Sequence, residues 1–165
     1  MYESPARIDL GRLAHLAACG QLYQASDSLT GTVGTGGNYA LWNPGTKGLA
    51  TRLIGVRVSV SAAVVVTLGR VVADPALALG NPPSNLYLGG NAPQTINQAA
   101  VAVPLVPDSI IAVQFISTSF GGDILLPASI FIPPNSGVLL ATAVAVSTHH
   151  VTWLYAELPP EDESD

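Results

Sequence analysis

Apolar and polar residues alternate through Ile54, Val56, Val58 and Val60, with Gly55, Arg57, Ser59 and Ser61 between them. A period of two belongs to a strand with one buried and one wetter face. Just upstream, Asn43-Pro44-Gly45 is a turn signal, because proline presets φ at the second turn position and glycine accepts positive φ at the third. The stretch from Asn38 to Val72 therefore reads as a hairpin. A second pattern of this kind spans Val144 to Tyr155, with His149-His150 as a polar break between two β-rich runs.

Between these stretches lie the short apolar runs Ala99 to Val106, Ile110 to Thr118, Ile124 to Leu126, Ile130 to Ile132 and Val138 to Val146, punctuated by proline, glycine and asparagine. Together they give about eight to ten strands, the spacing of an all-β jelly roll or related antiparallel β-sandwich. Ala73 to Gln98 is a long insertion with short strands at most, around Leu77–Leu79 and Leu86–Leu88, and loops of this length are candidates for contact with a partner. Upstream, Ile8, Leu10, Leu13, Leu16 and Ala17 fall at loosely helical spacing, which fits either a short helix or an extended N-terminal arm. Such an arm either reaches a neighbour or folds back on its own domain. Ser26 to Gly37 is small and polar and reads as a connector. The expected organisation is an arm and connector over 1–37, a β-sandwich over 38–158 and an acidic tail over 159–165.

Composition adds a constraint on the surface. Of 165 residues, 48% are apolar and 10% charged, against roughly 25% charged in ordinary soluble domains. Two readings follow: an apolar monomer coated with Ser, Thr, Asn and Gln, or a subunit covered largely by other subunits. The net charge of −5 argues against a nucleic-acid partner, which calls for a basic footprint. The longest apolar run, Ala62 to Ala73, includes Thr67, Gly69 and Arg70 and is too short for a membrane helix. Cys19 has no cysteine to pair with, and the first residues lack a basic secretory region, so folding in the cytoplasm is expected.

Candidate chemistry is sparse. His149 and His150 are neighbours on a strand and point to opposite faces, so the pair does not suit one metal ion. The sequence has no carboxylate pair, no Gly-x-Ser-x-Gly elbow and no phosphate loop, and no catalytic residue, cofactor or metal is expected. Glu157, on the strand face of Trp153 and Tyr155, reads as a solvent-facing strand end, with an interface ion-pair partner as the alternative. Trp42, Trp153, Tyr39, Tyr87 and Tyr155 suit core or interface packing, with stacking on a glycan as the alternative. The interface candidates are Leu10, Leu13 and Leu16 in the arm, Trp42 and Asn43 at the turn, Leu86 and Tyr87 in the insertion, and Trp153 and Tyr155 in the last strand.

Ala40-Leu-Trp-Asn-Pro-Gly-Thr-Lys-Gly48 followed by an alternating strand, Ile132-Pro-Pro-Asn-Ser-Gly-Val138, and Trp153-Leu-Tyr-Ala-Glu157 resemble features of small β-sandwich structural proteins of tailed bacteriophages. The resemblance covers roughly Tyr39 to Leu158. It implies a non-enzymatic jelly-roll virion protein, commonly a homotrimer, made in the host cytoplasm. Such a protein binds the major capsid protein on the capsid surface as a decoration or cement protein, or recognises a host glycan or protein from a tail, baseplate or head fibre. No catalytic residues carry over.

Overall fold

The computed structural model describes residues 10–87, 90–118, 122–124, 126 and 129–159. Helix α1 (Leu10–Ala18) precedes β1 (Leu22–Thr30), β2 (Gly36–Asn43), β3 (Ala50–Val60), β4 (Val64–Val71), β5 (Ser84–Asn85), β6 (Ile96–Ala102), β7 (Ser109–Ile116), β8 (Gly122–Asp123), β9 (Ile130–Ile132), β10 (Ser136–Thr142) and β11 (Thr148–Leu158). The first sheet has the order β5-β1-β11-β3, with β8 and β9 both pairing along the far edge of β3. The second has the order β6-β2-β10-β4-β7. Set β5 and β6 aside and the two sheets are β1-β11-β3-β8 and β2-β10-β4-β7. Strands β1 to β4 alternate between sheets, and β10 and β11 slot between them; this is the jelly-roll order, in an all-β sandwich.

The alternation seen in the sequence places the core. Val56 and Val58 of β3, Val64, Val66 and Leu68 of β4, Val138 and Leu140 of β10, and Val151, Trp153 and Tyr155 of β11 meet between the sheets. Tyr23 of β1 stacks on Tyr155 with ring centroids 5.5 Å apart. One irregularity changes the expected phase. The β3–β11 register shifts so that Leu154 faces Gly55 while Tyr155 faces Leu53, leaving Ile54 as the extra residue of a bulge. Leu53 and Val56 therefore both point into the core, and Ile54 points outward, against α1.

Helix α1 lies on the outside of the first sheet, where Leu16 packs with Leu22, Ala156 and Leu158, flanked by Leu13 and Ala17. Its end is a Schellman arrangement: Gly20 has φ +69, its N–H reaches Ala17 O at 3.0 Å, and the Gln21 N–H reaches Leu16 O at 2.9 Å. Of the two arrangements open for the arm, residues 10–18 take the helix folded on its own domain. Residues 1–9 and 160–165, which include most of the expected acidic tail, lie outside the described residues.

Several expectations are corrected. Asn43-Pro44-Gly45 does turn the chain, with Gly45 at φ +70 and its N–H bonded to Asn43 Oδ1, but β2 and β3 enter opposite sheets, so the unit is a corner between layers and not a hairpin. The connector expected from Ser26 begins as a strand: Leu22–Thr30 pairs with β11 along its whole length. The sandwich thus starts at Leu22 and not at 38. His149-His150 is no break, because both lie inside continuous β11 and the chain reverses over 143–147. The run expected from Ala99 to Val106 leaves the sheet after Ala102. Of the short strands expected in the insertion, Leu79 forms a single bridge to Gln98, and Leu88 lies outside the described residues, as does Leu125 of the run at Ile124.

Candidate interaction surfaces

The insertion between β4 and β6 seals one flank of the sandwich. Leaving β4, it lays Leu77 on the outer face of the second sheet against Trp42, Val71, Leu139 and Ile96. It then pairs beside β6, where the Gly80 N–H reaches Asn97 O and the Ala99 N–H reaches Ala78 O, both at 2.9 Å. It crosses to the first sheet and pairs β5 with β1. Two strand edges with unpaired backbone groups are closed by one segment.

Two buried carboxylates hold this segment. Asp27 projects inward from β1 and accepts hydrogen bonds from the Asn81 N–H at 3.0 Å and from Asn97 Nδ2 on β6, joining the edges of the two sheets. Glu157, near the end of β11, accepts from the Thr95 N–H at 2.7 Å, Thr95 Oγ1 at 2.7 Å and the Gln94 N–H at 2.9 Å. Gln94 continues the network, donating to Asn43 Oδ1 at 2.7 Å and Leu49 O at 2.6 Å and accepting from the Lys47 N–H at 2.7 Å. Asn43 in turn donates to Leu49 O and Ile132 O. Buried polar groups paired in this way favour one geometry, since each of these bonds would be lost in any other, although Asn97 Oδ1 finds no partner among the described residues. The pinned segment exposes Leu79, Leu86 and Tyr87. Beside them, Gln24, Ser26, Asn81, Pro82, Ser84 and Leu86 line an open groove.

The opposite flank differs. The β6–β7 connection, Val103 to Asp108, must travel from one edge of the second sheet to the other, and it does so across the outer face. Asn38 on β2 holds it, donating to Val103 O at 3.2 Å and accepting from the Leu105 N–H at 2.8 Å. Over β4 the fit is close: a Cβ on Gly69 would run into the Pro107 ring. With the strap held at Asn38 and seated on Gly69, and Leu77 of the insertion packed on Ala40, Trp42 and Leu139, β2 and β10 are buried on both faces. Beyond the strap the outer face of β4 and β7 is open. Val65 pairs with Phe115 and Thr67 with Val113 in the register, and Ile110, Val113 and Phe115 are 63%, 59% and 66% exposed. Val103 and Val106 on the strap itself are 70% and 85% exposed.

The interface candidates divide accordingly. Trp153, Tyr155 and Asn43 are fully enclosed, Trp42 is covered by the insertion, and Leu16 is covered by its own sheet, so these five side chains serve packing within the chain. Leu13 is half-buried beside Leu16, and Leu10 opens α1. Leu86 and Tyr87 are exposed together on the insertion. Sequence reasoning placed no candidate on β7 or the strap, because the alternation of Val113 and Phe115 with Gln114 reads as apolar side chains facing the core, whereas Ala112 and Ile116 take that place and Val113 and Phe115 face out. Glu157, expected at a solvent-facing end, is buried because its donors arrive from residues 94–95.

Few groups offer reactive chemistry. Among the described residues no three His, Cys, Asp or Glu side chains group to hold a metal ion, and no helix is long and apolar enough to cross a membrane. His149 is buried at the end of the core near Gly31 and Gly37, with neither ring nitrogen hydrogen-bonded among the described residues, and burial lowers its pKa. Burial raises the Tyr39 and Tyr155 hydroxyls well above their ordinary value, and the Glu157 carboxylate adds to the rise at Tyr155. No protein-family model, curated protein or solved structure matches the chain, so its function is argued from these surfaces and its fold.

Proposed function

We propose that this chain is a non-enzymatic structural protein of a virion, a capsid decoration protein that binds the major capsid protein on the outside of a phage head. The observation that carries the reading is the pinned insertion. Asp27 and Glu157 hold a long loop in one shape, and that loop presents Leu79, Leu86 and Tyr87 to solvent. A preorganised apolar contact loses little entropy on binding, which suits a protein whose work is to hold neighbours together. At roughly 25 cal/mol per Å2, a few hundred Å2 of apolar contact per copy contributes several kcal/mol at most, repeated over a lattice. The jelly-roll order and the resemblance of Ala40–Gly48 support the same reading.

The glycan-binding alternative has less support in the site. Trp42, Trp153, Tyr39 and Tyr155 are buried, which leaves Tyr87 to stack on a sugar from among the five aromatics considered. Co-sedimentation of the purified protein with mature capsids lacking it tests the proposal. Saturable binding that raises the capsid melting temperature is expected, and Leu86→Ser with Tyr87→Ser should weaken it. Binding to host envelopes and not to capsids would move the protein to the receptor-binding class.

A further inference from the structure

The open flank needs an occupant. Val65, Val113 and Phe115 lie side by side on the outer face of β4 and β7, Ile110 lies opposite Gly69, and the exposed Val103, Leu105 and Val106 belong to the strap seated on that same face at Asn38 and Gly69. Their exposed parts amount to on the order of 600 Å2, at the top of the range for an isolated patch on a monomer. That approaches the ~800 Å2 that each partner contributes to a standard stable interface.

We propose that a second copy of this chain packs on this face, outer sheet against outer sheet. Its charge pattern favours self over a different partner. Strand β7, Ser-Ile-Ile-Ala-Val-Gln-Phe-Ile, carries no ionisable side chain, and neither does the strap from Val103 to Pro107. A patch that meets its own copy duplicates every charge it holds, so like charges would face each other. A neutral patch avoids that repulsion, whereas a face built for a different protein gains from complementary charges. The edges support the same point. Strand β1 is covered by β5, β6 by residues 78–80, and β3 by β8 and β9, while among the described residues β7 pairs with β4 alone. Face-to-face sheets pack about 10 Å apart, a spacing that Phe115 and Val113 of two copies fill by interdigitating.

A patch that meets its own copy closes as a two-fold dimer, so the proposal replaces the homotrimer expected from the sequence with a dimer, and it does not rest on the capsid as target. Sedimentation equilibrium of the full chain without capsids tests it, beside Val113→Lys, Phe115→Lys and, as a control on the sealed flank, Tyr87→Lys. The wild type and the control should sediment at twice the chain mass. Each lysine variant on the open flank should weaken association at least tenfold while keeping the wild-type circular dichroism. If either lysine unfolds the chain, Val106→Lys on the strap, at 85% exposure, reads the same contact without touching a strand. A wild type that stays monomeric at high concentration overturns the proposal, as does an oligomer indifferent to these lysines. Capsid binding by a monomer that Phe115→Lys abolishes would also overturn it, by making the capsid protein the occupant. An intact, lysine-sensitive oligomer that ignores capsids would leave this proposal standing and remove the decoration reading instead.

Discussion

The two flanks of the sandwich solve the same problem by different means. On the β1–β6 flank the sheet edges are joined by a segment of the chain itself, fastened by Asp27 and Glu157 to Asn81, Asn97, Gln94 and Thr95. On the β7 flank the chain supplies a strap over half of the face and leaves Ile110, Val113 and Phe115 in water. The difference shows where polar and apolar residues carry most weight. Polar groups fix geometry where the chain closes on itself, and apolar groups stay exposed on the flank where we propose that a second copy packs.

The largest expected effect of a single change lies on the sealed flank. Glu157→Ala orphans the Gln94 and Thr95 backbone donors in a buried site, and should cost about 3–5 kcal/mol of stability, read by urea denaturation. Because those donors belong to the insertion, amide exchange there should rise beyond the global loss. If the cost is under about 0.5 kcal/mol, the sealed flank is not held by this carboxylate. The strap comes next. Gly69→Ala drives a methyl group into Pro107, and should destabilise by about 1–3 kcal/mol, the usual range for overpacking. A Gly69→Ala variant as stable as the wild type would mean that the strap is loosely seated.

A smaller, pH-dependent effect separates satisfied from unsatisfied buried groups. His149 has its folded pKa lowered from the ordinary 6.5 by burial. The unfolded chain therefore takes up this proton first, so stability is complete above about pH 6.5 and declines as the pH falls below it toward the folded value. His149→Leu should flatten the decline measured between about pH 7 and about pH 5. An equal slope in both proteins would show that His149 has no part in acid sensitivity. The smallest effect on stability belongs to the open flank: Val113→Lys and Phe115→Lys, measured at concentrations where the chain is monomeric, should change it by less than about 0.5 kcal/mol, as surface substitutions do. A large loss would show that these side chains pack within the chain and not outside it.

The fold was legible wherever one strand carried its own signal. The valines of β3, the turn at Asn43-Pro44-Gly45 and the short strand Ile130–Ile132 all stand where the sequence places them. Strand β1 was not legible because Asp27 and Ser26 look like loop residues until Asn81, Asn97 and Thr152 meet them from distant parts of the chain. The sheet change between β2 and β3 leaves no local mark, since a corner and a hairpin use the same turn residues. Ile54 points outward because of a bulge set by β11, which the alternation alone does not reveal. The surfaces were half legible. The insertion stands out by length, but the carboxylates that hold it, Asp27 and Glu157, lie outside it, and the strap reads as the end of a strand because Val103, Leu105 and Val106 continue its apolar run.

The division of labour between the flanks is tested most directly by residue-resolved amide hydrogen exchange on the protein, below and above the concentration at which it associates and again with capsids. The account expects residues 103–116 and 64–67 to slow on self-association with 79–87 unchanged, and 79–87 to slow only when capsids are added. Protection that appears first in 79–87 on self-association, with the β7 flank unaffected, would contradict it.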